Sequence, residues 1–238
     1  MSKLRHIIKI PPNGLSHCIH FFVKRKGGMY NNLMKPNLKE EKFLWKRGYK
    51  KIAGLDEAGR GPLAGPVVAA AVVLKNKGKD IQKAAVKDSK QLSFKKREEL
   101  YRVIVKSRDV EWAIGVVYEK VIDKINIKNA SELAMEKAVM KLKVRPEFLL
   151  IDGSNVKNRK LTGMKHKLIV KGDSKVFSCA AASILAKVKR DRIMLKLHKK
   201  YPRYRFDLHK GYPTKLHYKM IRKHGPCKIH RKSFVLNK

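Results

Sequence analysis

Short runs of apolar and β-branched residues punctuate the chain from position 52 onward. Ile52–Leu55 and Val67–Leu74 are two such runs separated by a Gly-rich segment, and they predict buried strands joined by a turn. Ser93 suits the N-cap of a helix from about Phe94 to Val105, and Val110–Val117 predicts a third strand. Asn129 followed three residues later by Glu132 has the form of a capping box, opening a helix that runs to about Leu142 and stops before Pro146. Phe148–Ile151 then predicts a fourth strand ending at Asp152, and Lys167–Val170 a fifth. Phe177–Leu197 predicts a long helix whose first turns carry Ala and Ser, small enough to let its backbone lie close to a sheet. A shorter helix follows from about Lys215 to Lys223, and the stretch after Gly225 shows no pattern. Strands first, then strands alternating with helices, predict an α/β fold: a mixed β-sheet flanked by helices, with a helical C-terminal part.

Residues 1–48 lack that periodicity until Glu40–Trp45 and carry Pro11, Pro12, Gly14, Gly27 and Gly28. They are expected to form a basic extension, with the folded domain at 49–238. Met29 and Met34 lie inside the extension, so a start codon assigned too far upstream would produce the same picture. The apolar runs are too short to span a bilayer and no signal peptide is apparent. Three cysteines, Cys18, Cys179 and Cys227, form no C-x-x-C pair, which argues for a reduced, cytoplasmic setting without a disulfide framework or zinc ribbon.

Charge changes the picture most. With 58 Lys and Arg against 19 Asp and Glu, the formal charge of +39 repels itself unless the chain meets a polyanion. Nucleic acid is the natural partner, although a Lys-rich surface can also reflect the composition bias of a genome. In a chain so poor in acids, the acids at the ends of apolar strands stand out, because a carboxylate buried there needs a cation or donors. Asp56 and Glu57 end the first strand and Asp152 ends the fourth. Successive strand residues point to opposite faces, so Asp56 and Glu57 can share one site only if the strand breaks into the Gly59 turn. Hard oxygen ligands of this kind suit Mg²⁺ or Mn²⁺, and a pair of such ions suits phosphodiester hydrolysis. The alternative is that these acids cap turns or pair with neighbouring Lys.

Gly59-Arg60-Gly61-Pro62-Leu63-Ala64 also has the form G-x-G-x-x-A after a strand, with Asp80 near the distance of a ribose-binding acid. A dinucleotide site is disfavoured because Asp56 and Glu57 would face the pyrophosphate and Pro62 interrupts the helix start. The glycines are better suited to close backbone approach to a nucleic-acid ribose and phosphate.

The stretch Ile52-Ala53-Gly54-Leu55-Asp56-Glu57-Ala58-Gly59-Arg60-Gly61 resembles the opening motif of the ribonuclease HII family. Asp88-Ser89-Lys90-Gln91-Leu92, Asp152-Gly153, Lys171-Gly172-Asp173, the block Ala181–Val188 with Arg190-Asp191-Arg192, His209-Lys210-Gly211-Tyr212 and His230-Arg231-Lys232-Ser233-Phe234 are similar to further family motifs in the same order. The resemblance spans about Gly48 to Phe234 and implies an RNase H-like fold. It implies a metal-binding catalytic set of Asp56, Glu57, Asp152 and Asp173; the sequence alone leaves Asp191 as the rival to Asp173, but Asp191, between Arg190 and Arg192, is expected in a surface ion pair. It further implies that Gly59, Arg60, Gly61 and Tyr212 recognise a ribonucleotide followed by deoxyribonucleotide, where the 2′-OH alone marks RNA. The implied activity is hydrolysis of the RNA strand of RNA–DNA hybrids and on the 5′ side of ribonucleotides in duplex DNA, with Mg²⁺ or Mn²⁺, leaving 3′-hydroxyl and 5′-phosphate ends.

Lys90, Ser183, Lys187 and Arg231 are candidate phosphate contacts, each also readable as an ordinary solvated or packing residue. His209, His217 and His230 with Cys227 lack standard zinc spacing, so no zinc site is expected. Nothing demands more than a monomer. A non-catalytic nucleic-acid-binding protein of the ribosomal kind is the competing class, and metal-dependent cutting separates the two.

Overall fold

The computed structural model describes residues 36–78 and 92–234. Five strands form one mixed sheet: β1 (Ile52–Ala58), β2 (Val67–Leu74), β3 (Val110–Val117), β4 (Phe148–Asp152) and β5 (His166–Ile169), in the order β3-β2-β1-β4-β5. The first three run antiparallel as a meander, while β4 and β5 run parallel to β1. The eight described helices are α1 (Lys39–Lys46), α2 (Phe94–Lys106), α3 (Glu119–Met140), α4 (Arg159–Thr162), α5 (Gly172–Lys175), α6 (Phe177–Lys200), α7 (Phe206–His209) and α8 (Lys215–His224).

Every residue of β2 is buried, which explains its unbroken apolar sequence: both faces of the sheet are covered. Its Val68, Ala70, Val72 and Leu74 pack with Ala181, Ile184 and Leu185 of α6. The alternate residues Val67, Ala69, Ala71 and Val73 pack with Ala134, Met135 and Ala138 of α3. The small residues of α6 allow a close approach, and Gly54 in β1 completes it, since a Cβ there would lie 2.4 Å from the Ser178 Oγ and backbone carbon. Truncating a fully buried Ile184 or Leu185 to Ala should cost about 2–5 kcal/mol.

Two local expectations are corrected. The expected extension ran to residue 48, yet α1 belongs to the domain: Leu38 and Leu44 are buried and Asn37 bridges to Val176. The reason lies in α6, whose N-cap residue Val176 has no side-chain acceptor to offer. Glu41 of α1 supplies it, its Oε1 accepting from the Ser178 N–H at 2.9 Å and the Ser178 hydroxyl at 2.8 Å. Second, the helix expected from Asn129 starts earlier. α3 spans Glu119–Met140 with one break at Asn126 (φ 64°, ψ 165°), whose side chain accepts from the Asn129 N–H, so Asn126 caps the second segment and Asn129 lies inside it.

The unpatterned stretch after Gly225 folds back on the β1–β2 connection. His230 bridges to Ala64, and Ile229 joins Ala64, Met194, Tyr204 and Phe206 in a small second core. None of the described helices is long and apolar enough to cross a membrane.

Candidate active site

Three carboxylates meet where β1, β4 and α5 end or begin. One oxygen from each of Asp56, Asp152 and Asp173 lies within 4.8 Å of the others, and among the described residues this is the group of three or more potential ligands that converges. Asp56 sits on the pleat face covered by α6, and Asp152 is the last residue of the parallel neighbour β4. Asp173 is delivered by a sharp turn: Lys171 adopts a left-handed conformation, Gly172 donates its N–H to Asp152 Oδ1 at 2.9 Å, and α5 begins. Carboxyl ends of parallel strands are where open α/β sheets gather polar groups, because the backbone there leaves the ladder.

Asp56 and Asp173 are buried, at 5% and 3% exposure. Burial first, and then the charges of Glu57 and Asp152, push the Asp56 carboxyl well above its ordinary range, against a hydrogen bond with Ser183. Such a cluster is unfavourable on its own and suited to a hard divalent cation, whose ligands are carboxylate oxygens.

Glu57 departs from the sequence expectation in its route to the site. β1 does not break after Asp56; its pairing with β2 continues through Glu57↔Ala69 and Ala58↔Val68. The pleat therefore turns Glu57 toward the α3 face, where it is 11% exposed and pairs with Arg60 at 3.3 Å. It lies outside the converging trio, but its charge acts on Asp56 more than that of Asp152 does. Asp191 is also outside the trio, and it is buried instead of lying at the surface as expected: it pairs with Lys187 at 2.8 Å within α6.

The expected substrate contacts divide. Lys90, with Asp80 and Asp88, lies outside the described residues. Ser183 is buried and faces Asp56. Lys187 remains partly exposed and sits 5.3 Å from the centre of the Tyr212 ring, which is itself 36% exposed. Arg231 cannot meet a phosphate from where it lies: it is fully buried, donating to the carbonyls of Gly59, Arg60 and Gly65. Gly59 and Gly61 differ as well. A Cβ on Gly61 would meet open space, whereas one on Gly59 (φ +101°) would lie 2.2 Å from Arg190 Nε. Arg190, passed over in the sequence as a flank of Asp191, is thus part of the loop's packing. Its signal is a glycine at a left-handed position that is needed for the arginine rather than for the ligand.

His209, His217 and His230 form a buried stack, with His217 Nε2 3.0 Å from His230 Nε2 and the His209 and His217 rings 4.3 Å apart. Burial, then the proximity of His217, push both His209 and His230 down to about 4, so the stack is neutral at pH 7.

A mixed sheet of order β3-β2-β1-β4-β5 flanked by helices is the ribonuclease H fold, and the carboxylate trio lies at its strand ends. A family model described as Ribonuclease HII matches residues 53–237. A curated relative from Caldicellulosiruptor bescii, named Ribonuclease HII, is 50% identical over 198 residues, covering 83% of this chain and 92% of the relative. The crystal structure of ribonuclease H2 from Pyrococcus horikoshii OT3 superposes with a TM-score of 0.65 at 29% identity, over 78% of this chain and 94% of that one. RNase HII from the Archaeoglobus fulgidus PCNA complex gives 0.66 at 27% identity, over 79% and 96%. The chain belongs to the ribonuclease HII family.

Proposed function

We propose that this chain is an endoribonuclease that hydrolyses the RNA strand of RNA–DNA hybrids and cuts on the 5′ side of ribonucleotides embedded in duplex DNA, leaving 3′-hydroxyl and 5′-phosphate ends. The observation that carries the reading is the convergence of Asp56, Asp152 and Asp173 within 4.8 Å, in a chain of formal charge +39 that belongs to this family. Glu57, the chain neighbour of Asp56, completes the proposed ligand set from the opposite pleat face. Two divalent cations, Mg²⁺ or Mn²⁺, would supply Lewis-acid stabilisation of the leaving oxygen and lower the pKa of the attacking water.

The chain's own residues do the rest. Ser183 holds Asp56 by a hydrogen bond, and Gly172 holds Asp152 through its backbone N–H. The exposed Arg60–Gly61 backbone and the half-open ring of Tyr212 are offered to the ribose and phosphate at the RNA–DNA junction. Lys187, and Lys90 on its motif alone, are the proposed phosphate contacts.

The test is a DNA duplex carrying one ribonucleotide, incubated with Mg²⁺ or with Mn²⁺. Cleavage 5′ of the ribonucleotide, lost in Asp56→Asn, is the expected result. No cleavage with either ion, or full activity in Asp56→Asn, would sink the reading. Tight, salt-sensitive binding without cleavage would favour a non-catalytic nucleic-acid-binding protein. Tyr212→Ala should lose junction preference more than duplex affinity.

A further inference from the structure

We propose that Arg231, seconded by Arg190, is a positioning residue for junction recognition: it fixes two peptide planes of the β1–β2 loop so that the N–H groups of Arg60 and Gly61 face the nucleic acid. The proposal rests on the function proposed above and specifies how this chain prepares that loop.

The loop between β1 and β2 pairs only through the isolated bridge of Ala64 with His230, yet most of its carbonyls are held. Arg231 Nη2 donates to Gly59 O at 2.6 Å, Nη1 to Arg60 O at 3.0 Å and Nε to Gly65 O at 3.0 Å. The Arg231 backbone N–H donates to Leu63 O at 2.8 Å. Arg190 takes the remainder of the loop's second half, its Nη2 on Ala64 O at 3.2 Å and Nε on Pro66 O at 3.0 Å. Both arginines are fully buried.

The peptide group is planar and trans, so a carbonyl drawn inward turns the N–H of the following residue outward. Gly59 O and Arg60 O are the two carbonyls gripped by the Nη atoms of Arg231, and the N–H groups turned out are those of Arg60 and Gly61. Both residues are exposed, and among the described residues neither N–H makes a hydrogen bond. Two adjacent outward donors suit an anionic phosphate oxygen or a ribose hydroxyl.

Arg190 extends the device to Tyr212. The same guanidinium that holds Ala64 O donates to Lys210 O at 3.0 Å and lies 5.5 Å from the Tyr212 ring centre. Leu63 N–H meanwhile donates to Gly211 O at 2.8 Å. The loop donors and the tyrosine are thereby set at a fixed separation. The arrangement is costly: burial, and then the like charge of Arg190, push Arg231 down to about 9. A core built for stability alone has no need of two neighbouring guanidiniums there.

Arg231→Lys and Arg231→Met in the full chain test this on two substrates, a duplex with one ribonucleotide and a uniform RNA–DNA hybrid. One ammonium cannot span three carbonyls, so both variants should lose roughly 10-fold or more of the junction-to-hybrid ratio of kcat/KM. The salt slope of binding should stay at the wild-type value, because Arg231 touches no phosphate; a direct phosphate contact would lower the slope by about one. Should Arg231→Met fail to fold, Arg231→Lys carries the comparison. An unchanged ratio in folded Arg231→Lys, or a reduced salt slope, overturns the proposal. So does failure of both variants to fold, which would assign Arg231 to the core alone. If the wild-type chain itself cuts the two substrates equally, junction recognition falls and the positioning role with it. If only the variants keep the wild-type preference, the positioning role alone falls.

Discussion

In metal-free buffer at neutral pH, Asp56→Asn should melt higher than the wild-type protein while being inactive. The oxygens of Asp56, Asp152 and Asp173 lie within 4.8 Å of one another. At an effective dielectric constant near 20, two full charges at that separation repel by roughly 3–4 kcal/mol, and removing Asp56 removes two such pairs. Wild-type Asp56 can escape part of this by keeping its proton, and the amide retains some of the bond to Ser183. The net gain for the variant is therefore on the order of 1–3 kcal/mol, or about 3–10 °C for a domain of this size.

The sign with pH follows from the raised carboxyl of Asp56, caused first by burial and then by Glu57 and Asp152. A carboxyl raised in the folded state stabilises the fold fully below its unfolded value of about 3.8, and that contribution is lost as pH rises through the raised value. The variant's advantage should accordingly vanish in acid and grow as pH rises toward neutral and above. Added Mg²⁺ or Mn²⁺ should reverse the order, raising the wild-type midpoint by mass action and the variant's much less. Calorimetric or fluorescence melts in chelator and in each ion, across that pH range, make the measurement. A variant with a native circular-dichroism spectrum that melts at or below wild type in chelator at neutral pH would refute the account of the acid centre.

The remaining expectations concern the scaffold around the site. A chain starting at Gly48 loses buried Leu38 and Leu44 and the Glu41 bonds to Ser178, and should be destabilised by about 3–5 kcal/mol in urea titrations. His209 and His230, pushed down to about 4 chiefly by burial, contribute stability that is present above their unfolded value of 6.5 and lost as pH falls toward 4. The denaturation midpoint of Asp56→Asn, in which the acid centre is relieved, should therefore fall between pH 7 and pH 5; a flat profile would contradict this. Lys187→Met leaves the buried Asp191 carboxylate without its 2.8 Å partner and should cost about 1–3 kcal/mol, most of it recovered in the double variant with Asp191→Asn.

Local signals explain which parts were legible in the sequence. β2 and β3 match their expected bounds, and α2 and α8 begin at their expected residues, because runs rich in apolar and β-branched residues mark the strands and Ser93 marks the start of α2. The acids at strand ends stood out because acids are scarce in this chain. What stayed hidden depends on distant partners. α1 read as part of a basic extension because its apolar anchors are few, Leu38, Leu44 and Trp45, and a further anchor is an acid, Glu41, whose purpose lies far along the chain at Ser178. Glu57 was expected to share a face with Asp56 because nothing in the local sequence shows that β2 holds β1 in register through Ala58. Among the described Lys and Arg, no local feature marks Arg190 and Arg231 as fully buried.

Those two groups of hidden charge are linked by one helix. Ser183, Lys187, Arg190 and Met194 fall at spacings of four, three and four along α6, a single stripe of its surface. Ser183 meets Asp56, Lys187 meets Asp191 and the Tyr212 ring, Arg190 meets the β1–β2 loop, and Met194 enters the small C-terminal core. The acid centre and the loop donors are thus held at positions set by the 1.5 Å rise of one helix, which packs closely on Gly54. An acidic site that wants cations and a loop backed by buried cations that wants an anion are each incomplete alone. A nucleic-acid backbone crossing both, with divalent ions at the acids, offsets the two deficits together, so binding of metal and of substrate should each strengthen the other.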